Sequence, residues 1–170
     1  MIRPPEKRKY PPMRITETRV HAFPVNHRGN WVLVQISTAN GLCGWGEASD
    51  SRDEAACIAE VEQIGDILAG TDIDPREAAS ALMAGIPAQD RLARTPPSAM
   101  AQALFDLAAR QQDISVAAML AGEAPVADAV PVYANVNRMC ASRDAETIAA
   151  AGKQVIDAGG KAPIGELIGI

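Results

Sequence analysis

Aromatic side chains are almost missing: two Trp, two Tyr and two Phe occur in 170 residues. Alanine is abundant instead, which favours close helix packing through small residues. Histidine is equally scarce, with only His21 and His27. No Ser-His-Asp arrangement can be assembled from those two without positional support. The three cysteines, Cys43, Cys57 and Cys140, are odd in number and widely spaced. No CxxC pair exists, so neither a zinc knuckle nor a thioredoxin-type site is suggested, and the thiols read as small buried hydrophobes. No apolar run approaches the roughly 18 residues of a membrane span. The amino terminus lacks the apolar stretch of a signal peptide, so the expected location is cytoplasmic. P-loop, GxGxxG, HExxH and GxSxG motifs are all absent. No internal repeat or long low-complexity segment is found.

What is present is an apolar, acidic chain. Apolar residues make up 48% and charged residues 22%, enough to bury a core. Net charge is −5. Residues 1–12 carry Arg3, Lys7, Arg8 and Lys9 against Glu6, a net +3, which leaves −8 on the remainder. An acidic body argues against a nucleic-acid surface, where cations must neutralise phosphates. The first twelve residues read as a disordered basic leader.

The pattern predicts strands first. Met13–Ala22 alternates, with Ile15, Thr18 and Val20 among Arg14, Glu17 and Arg19. Phe23–Gly29 reads as a polar loop. Asn30–Thr38 returns to alternation through Trp31, Leu33 and Ile36. Ala39-Asn40-Gly41 is a tight turn, since Asn and Gly tolerate positive φ. Leu42–Ala48 forms a third strand, and the start is a three-stranded antiparallel meander. Helices follow. Ser51-Arg52-Asp53-Glu54 fits a capping box before Ile58, Val61, Ile64 and Leu68, with Gly70 at the close. Asp74-Pro75 opens a second helix, Pro96-Pro97 a third, and Ser115 caps a short fourth. Val130–Val136 then reads as a short apolar strand entered through Pro131. Asn137–Ala141 is a loop, and Ser142 caps a helix through Ile148, Ala151 and Val155. Strand, loop and helix make one β/α unit.

Several of these stretches resemble the mandelate racemase and muconate lactonizing enzyme branch of the enolase superfamily. They are Trp31–Thr38, the G-x-x-G-W-G-E run Gly41–Glu47, Ala103–Arg110, Val116–Gly122, Val130–Arg138 and Ala145–Gly160. The resemblance implies an α+β fold: a three-stranded antiparallel meander followed by a helical bundle, plus one β/α unit of an incomplete TIM-like barrel. The expected divisions are 1–12 leader, 13–128 capping domain and 129–170 start of the barrel. In that family the cap closes over a barrel that holds Mg2+ on three carboxylates. A Lys or His base removes a proton next to a substrate carboxylate, and the metal stabilises the enediolate. Hydroxy acids or sugar acids are the implied substrates, with no nucleic acid or membrane. A second copy of the chain or a separate barrel chain is the implied macromolecular partner.

A barrel of this type needs eight strands and about 250 residues. Only 42 residues run from Ala129 to Ile170. Where the family's second barrel strand carries a Lys-x-Lys base, this sequence reads Lys161-Ala162-Pro163-Ile164-Gly165-Glu166. The abrupt departure suggests a frameshift or premature stop, and Glu166 has no partner ligands. No catalytic or metal-binding residue is transferred, and no cofactor is expected for this chain alone. It is expected to be inactive alone, as a dehydratase or racemase fragment. A capping module that docks a separate barrel, or a non-functional product, remains the alternative.

Substrate-binding candidates implied by the resemblance are confined to three places. Asn26, His27, Arg28 and Asn30 lie in the first capping loop, where Arg28 suits a carboxylate in bidentate fashion. Asp50 lies in the second loop, Ala48–Ser51. Asn135 and Asn137 lie at the carboxyl end of the first barrel strand. The same residues also read as a solvated loop and a turn-forming pair. His21 is expected to be structural. Trp45 is expected to pack in the capping core, and Glu47 to make an ion pair or cap backbone.

Overall fold

The computed structural model describes residues 10–26, 29–49, 51, 53–84, 91–130, 134–140 and 142–159. Residues 1–9 of the expected leader and 160–170, including Lys161, Pro163 and Glu166, lie outside them. The chain divides into two compact units, the first ending at Val126 and the second starting at Ala127.

In the first unit β1 (Met13–Asn26), β2 (Gly29–Thr38) and β3 (Cys43–Glu47) form the expected antiparallel meander. A short fourth strand, β4 (Asp72–Ile73), pairs with Met13 and Arg14, so the sheet order is β3-β2-β1-β4. Two residues with one apolar side chain carry too little pattern to be seen in sequence. The period of two places Val32, Val34, Ile36 and Thr38 on the buried face of β2. An irregularity between Ile15 and Glu17 shifts the register of β1. Thr18 and Val20 therefore follow Met13 and Ile15 onto that face, opposite Ile36 and Val34. The turn after β2 is held by Gly41, at φ +85°, and by Thr38. The Thr38 hydroxyl lies 2.6 Å from Asn40 Oδ1 and 2.8 Å from the Leu42 carbonyl.

β1 continues through Pro24 to Asn26, beyond the loop boundary expected at Phe23. Proline removes a ladder donor, but β4 flanks β1 only at Met13 and Arg14, so Pro24 sits where that edge is free.

Two of the helices, the first and third, cover one face of the sheet, and the second and fourth pack against the third. They are α1 (Glu54–Leu68), α2 (Pro75–Ala84), α3 (Arg91–Gln111) and α4 (Val116–Ala121). α3 supplies Ala99, Met100, Ala103, Leu104 and Leu107 to the core, all fully buried. It starts at Arg91, five residues before Pro96. The two prolines remove only the amides that would bond the carbonyls of residues 92 and 93, in the first turns. α1 is capped by Asp53, whose Oδ1 accepts the Ala56 amide at 3.0 Å. Ser51, the expected cap, instead donates to the Asp53 carbonyl at 2.7 Å. Asp74 accepts the amides of Arg76 and Glu77 at the start of α2, and Ser115 accepts that of Ala118 in α4.

α3 approaches β3 backbone to backbone. A Cβ on Gly44 would lie 2.1 Å from the Ala103 carbonyl oxygen, and one on Gly46 would lie 1.9 Å from that of Ala99. The outward amides of β3 are covered from the same helix. Trp45 N donates to Asp106 Oδ2 at 3.0 Å and Glu47 N to Gln102 Oε1 at 3.3 Å. An edge strand thereby loses the bare donors that invite another chain.

The second unit is a helix pair, α5 (Val136–Met139) and α6 (Ala145–Asp157), around Val136, Cys140 and Ala151. Val136, expected to end a strand, begins α5 instead, and residues 131–133 of that strand lie outside the described residues. Among the described residues no strand flanks it to supply ladder bonds, whereas the helical turn lets Val136 pack with Ala151 and lets its carbonyl accept from Cys140 Sγ at 3.2 Å. The α6 cap is Asp144 in place of Ser142. Its Oδ1 accepts the Thr147 amide at 2.8 Å and its Oδ2 the Thr147 hydroxyl at 2.9 Å, with Ser142 also donating to Oδ2.

Gly46→Ala is expected to destabilise the first unit by about 2–4 kcal/mol, because the clash is with backbone and no side chain can swing away. Urea unfolding of the variant checks this. The bonds from Ser142 and Thr147 hold the Asp144 carboxyl at about 2, below its usual 3.8. A carboxyl lowered in the folded state stabilises above its unfolded value and loses that contribution as pH falls through the folded one. The Thr147 amide resonance is therefore expected to stay constant above about pH 4 and to move with a midpoint near 2, a transition absent in Asp144→Asn.

Candidate functional site

The register places two chain connections at one end of the sheet. Asn26 pairs with Gly29, so the β1–β2 hairpin closes at this end. The last β2–β3 pair is Leu33 with Glu47, so β3 ends beside the same end of β2. Ala48 and Ser49 then continue across it toward α1. The Ala48 amide donates to the Val32 carbonyl at 2.8 Å, and the Val32 amide donates to Ser49 Oγ at 3.0 Å.

Asn26 closes β1 at this hairpin. Asn30 stands next to it on β2, and its amide nitrogen donates to Glu54 Oε1 at 2.9 Å in a half-buried setting. His27, Arg28 and Asp50 lie outside the described residues. Asn135 and Asn137 belong to the second unit, Asn135 just before α5 and Asn137 within it, and residues 131–133 of the strand expected before them lie outside the described residues. Asn26 and Asn30 are thus brought to one hairpin. Ser49 and Glu54 were missed in the sequence, because nothing local marks a Glu inside a helix as the partner of an Asn 24 residues earlier.

The opposite face of the sheet is open. Glu17, Arg19, His21 and Phe23 point there from β1, Trp31, Leu33 and Gln35 from β2, and Trp45 and Glu47 from β3. His21 bonds Gln35 Oε1 at 3.1 Å and lies against Phe23 and Trp45, with ring centroids 6.3 Å and 5.4 Å away. Trp45 is not in the core as expected: it is 39% exposed, beside Phe23 at 49% and Trp31 at 57%. Alternation forces this, since Gly44 and Gly46 give the inner face of β3 to α3. Glu47 is exposed, and among the described residues no ion pair reaches it.

Burial pushes the Cys57 thiol above its ordinary 9.0, with Glu60 and Glu54 adding to the effect against a hydrogen bond involving Ser51. Cys57 sits under the Ala48 carbonyl and stays a neutral thiol, unsuited to nucleophilic work. Among the described residues no three His, Cys, Asp or Glu side chains converge as a metal site. These residues therefore do not fit a magnesium ion. No described helix is long and apolar enough to cross a membrane.

An antiparallel meander backed by helices, with two connections leaving one end, is the capping architecture of the enolase superfamily. Residues 3–121 match the mandelate racemase / muconate lactonizing enzyme N-terminal domain, and the chain belongs to that family. Three solved structures illustrate the likeness. A muconate cycloisomerase from Pseudomonas fluorescens aligns with TM-score 0.65 at 19% identity, over 87% of this chain and 41% of that one. An Agrobacterium radiobacter enolase, a candidate galactarate dehydratase bound to Na and L-malate, aligns with TM-score 0.52 at 26% identity, over 65% and 28%. A candidate mandelate racemase from Bordetella bronchiseptica RB50, complexed with 2-oxoglutarate/phosphate, aligns with TM-score 0.52 at 26% identity, over 65% and 32%. The chain therefore spans less than half the length of these structures. No curated protein matches it.

A brief pulse of a small thiol reagent at pH 8 is expected to label the half-buried Cys43 well before the buried Cys57 and Cys140. Mass spectrometry of the modified chain reads the order.

Proposed function

We propose that this chain is the substrate-capping part of an enzyme that removes a proton next to a carboxylate, acting on a hydroxy acid or sugar acid as a dehydratase or racemase. The observation that carries the reading is the joint exit of the β1–β2 hairpin and the β3–α1 connection at one end of the sheet, within a chain of this family. The acids bound to the Agrobacterium and Bordetella proteins support a carboxylate substrate. In this reading Asn26, His27, Arg28, Asn30 and Asp50 form the recognition surface, with Arg28 on the carboxylate and the amides on hydroxyls. Asn135 and Asn137 are separate candidates within the second unit. The base and the Mg2+ carboxylates come from barrel sequence other than these residues, and the chain alone is inactive.

A carbon acid next to a carboxylate gives up its proton only when a base and charge stabilisation meet at the same carbon. The cap supplies neither. Its contribution is orientation and water exclusion, and these can supply several kcal/mol of the barrier when the geometry is close. The test is loss of the α-proton NMR signal in D2O with Mg2+ and a panel including malate and galactarate. No exchange is expected from the chain alone, and exchange is expected once it is joined to a family barrel. Exchange by the isolated chain overturns the inactivity. A joined protein that folds as one body yet leaves every acid untouched overturns the capping role.

A further inference from the structure

The β2–β3 ladder stops at Leu33 and Glu47. Gly29, Asn30 and Trp31 project beyond it, paired on the β1 side only. Gly29 itself sits at φ +138°, a conformation that glycine adopts without the steric cost a side chain would carry. Beyond the pairing with β1, three bonds among the described residues tie that end to the rest of the unit: the backbone bond from Ala48 N to the Val32 carbonyl, and two side-chain bonds, Val32 N to Ser49 Oγ and Asn30 Nδ2 to Glu54 Oε1. The last is a half-buried amide-to-carboxylate bond, of the charge-assisted kind that is stronger than a neutral pair. Its acceptor stands one residue after the Asp53 cap, whose carbonyl and carboxylate are both committed to α1. The Glu54 carboxylate is thus carried by the first turn of a 15-residue helix.

We propose that Asn30 is a positioning residue: its bond to Glu54 locks the β1–β2 hairpin end to the entrance of α1, so that the two ends move and bind as one body. The functional weight of the lock rests on the capping reading above, while the lock itself does not. In the sequence Asn30 reads as a substrate ligand; the structure commits its amide nitrogen to Glu54, so in the capping reading Asn30 holds the spacing of the neighbouring groups and adds to recognition only through the remaining capacity of its amide.

Amide hydrogen exchange of the free chain tests the lock. Asn30→Asp sets a carboxylate against Glu54. The amides of Gly29–Val32 and of Ala56 and Cys57, which the Asp53 cap holds, are expected to exchange about tenfold faster together, while those of β3 and α3 keep the wild-type rate. Asn30→Asp combined with Glu54→Gln restores a donor on the other side and is expected to return both sets to near wild type. Asn30→Ala, which removes the bond without adding charge, should give a smaller joint increase. Acceleration on one side only, or failure of the reversed pair to rescue, overturns the proposal. Acceleration throughout the chain also overturns it, since the bond would then be part of global stability. No acid is present in these measurements, so their failure leaves the substrate reading standing, and failure of the D2O assay leaves the lock standing.

Discussion

Gly44 and Gly46 leave room for the carbonyl oxygens of Ala103 and Ala99 and for nothing larger. That contact lets α3 lie directly on the edge strand, and much of the first unit follows from it. The facing helix positions must be small, hence Ala99 and Ala103, while Met100, Leu104 and Leu107 fill the space to either side. The close approach also brings Asp106 and Gln102 within reach of the β3 amides, and Arg110 in turn donates to Asp106 Oδ2 at 3.0 Å. With the inner face of β3 given to helix backbone, its large side chain must face outward. Trp45 then joins Phe23 and Trp31 on the open face.

α1 meets β1 in the same way at Gly65, where a Cβ would lie 2.7 Å from Thr18 Cβ. Here the close fit has a cost. Thr18 Oγ1 is buried and has no hydrogen-bond partner among the described residues. An unpaired hydroxyl costs about 1–3 kcal/mol, which the surrounding core must offset. The register irregularity that turns Thr18 inward is also what returns Val20 to the core, so the two effects come together.

The strands were legible because alternation is a local signal, and so were the helices that begin at Asp74 and Ser115. The sequence misled where a neighbour decided the outcome. A capping box fitted Ser51, but Asp53 has the carboxylate at the right distance from the Ala56 amide. Ser142 looked like a cap, yet it bonds the actual cap, Asp144. Pro96-Pro97 looked like a helix start because proline belongs in a first turn, although the turn before it can also be helical. Trp45 looked buried because large aromatics usually are, and only the helix on Gly44 and Gly46 reverses that. Of the candidate site, the residue types at the hairpin were legible. The convergence of its end with the entrance to α1 depends on strand register, and Asn30 finds a partner that no local pattern announces.

If the chain acts in the capping role proposed above, a division of labour follows from these contacts. Groups that do chemistry must hold a reacting atom at about 3 Å, so they belong on elements over-determined by packing. Among the described residues the hairpin end is held less fully, since it outruns its ladder with β3 and is joined to the segment before α1 by one backbone bond and two side-chain bonds. Neutral amides and hydroxyls at its base can orient an acid but cannot take a proton from carbon. Cys57, the nucleophile type nearest the Ser49–Glu54 segment, is kept protonated by burial and by the acidic groups around it. In the proposed capping role the hairpin residues can be exchanged, because neither Gly44, Gly46 nor the α3 ridge depends on them. Recognition can therefore vary at the tied end of the sheet while the contact that folds the domain stays unchanged at β3.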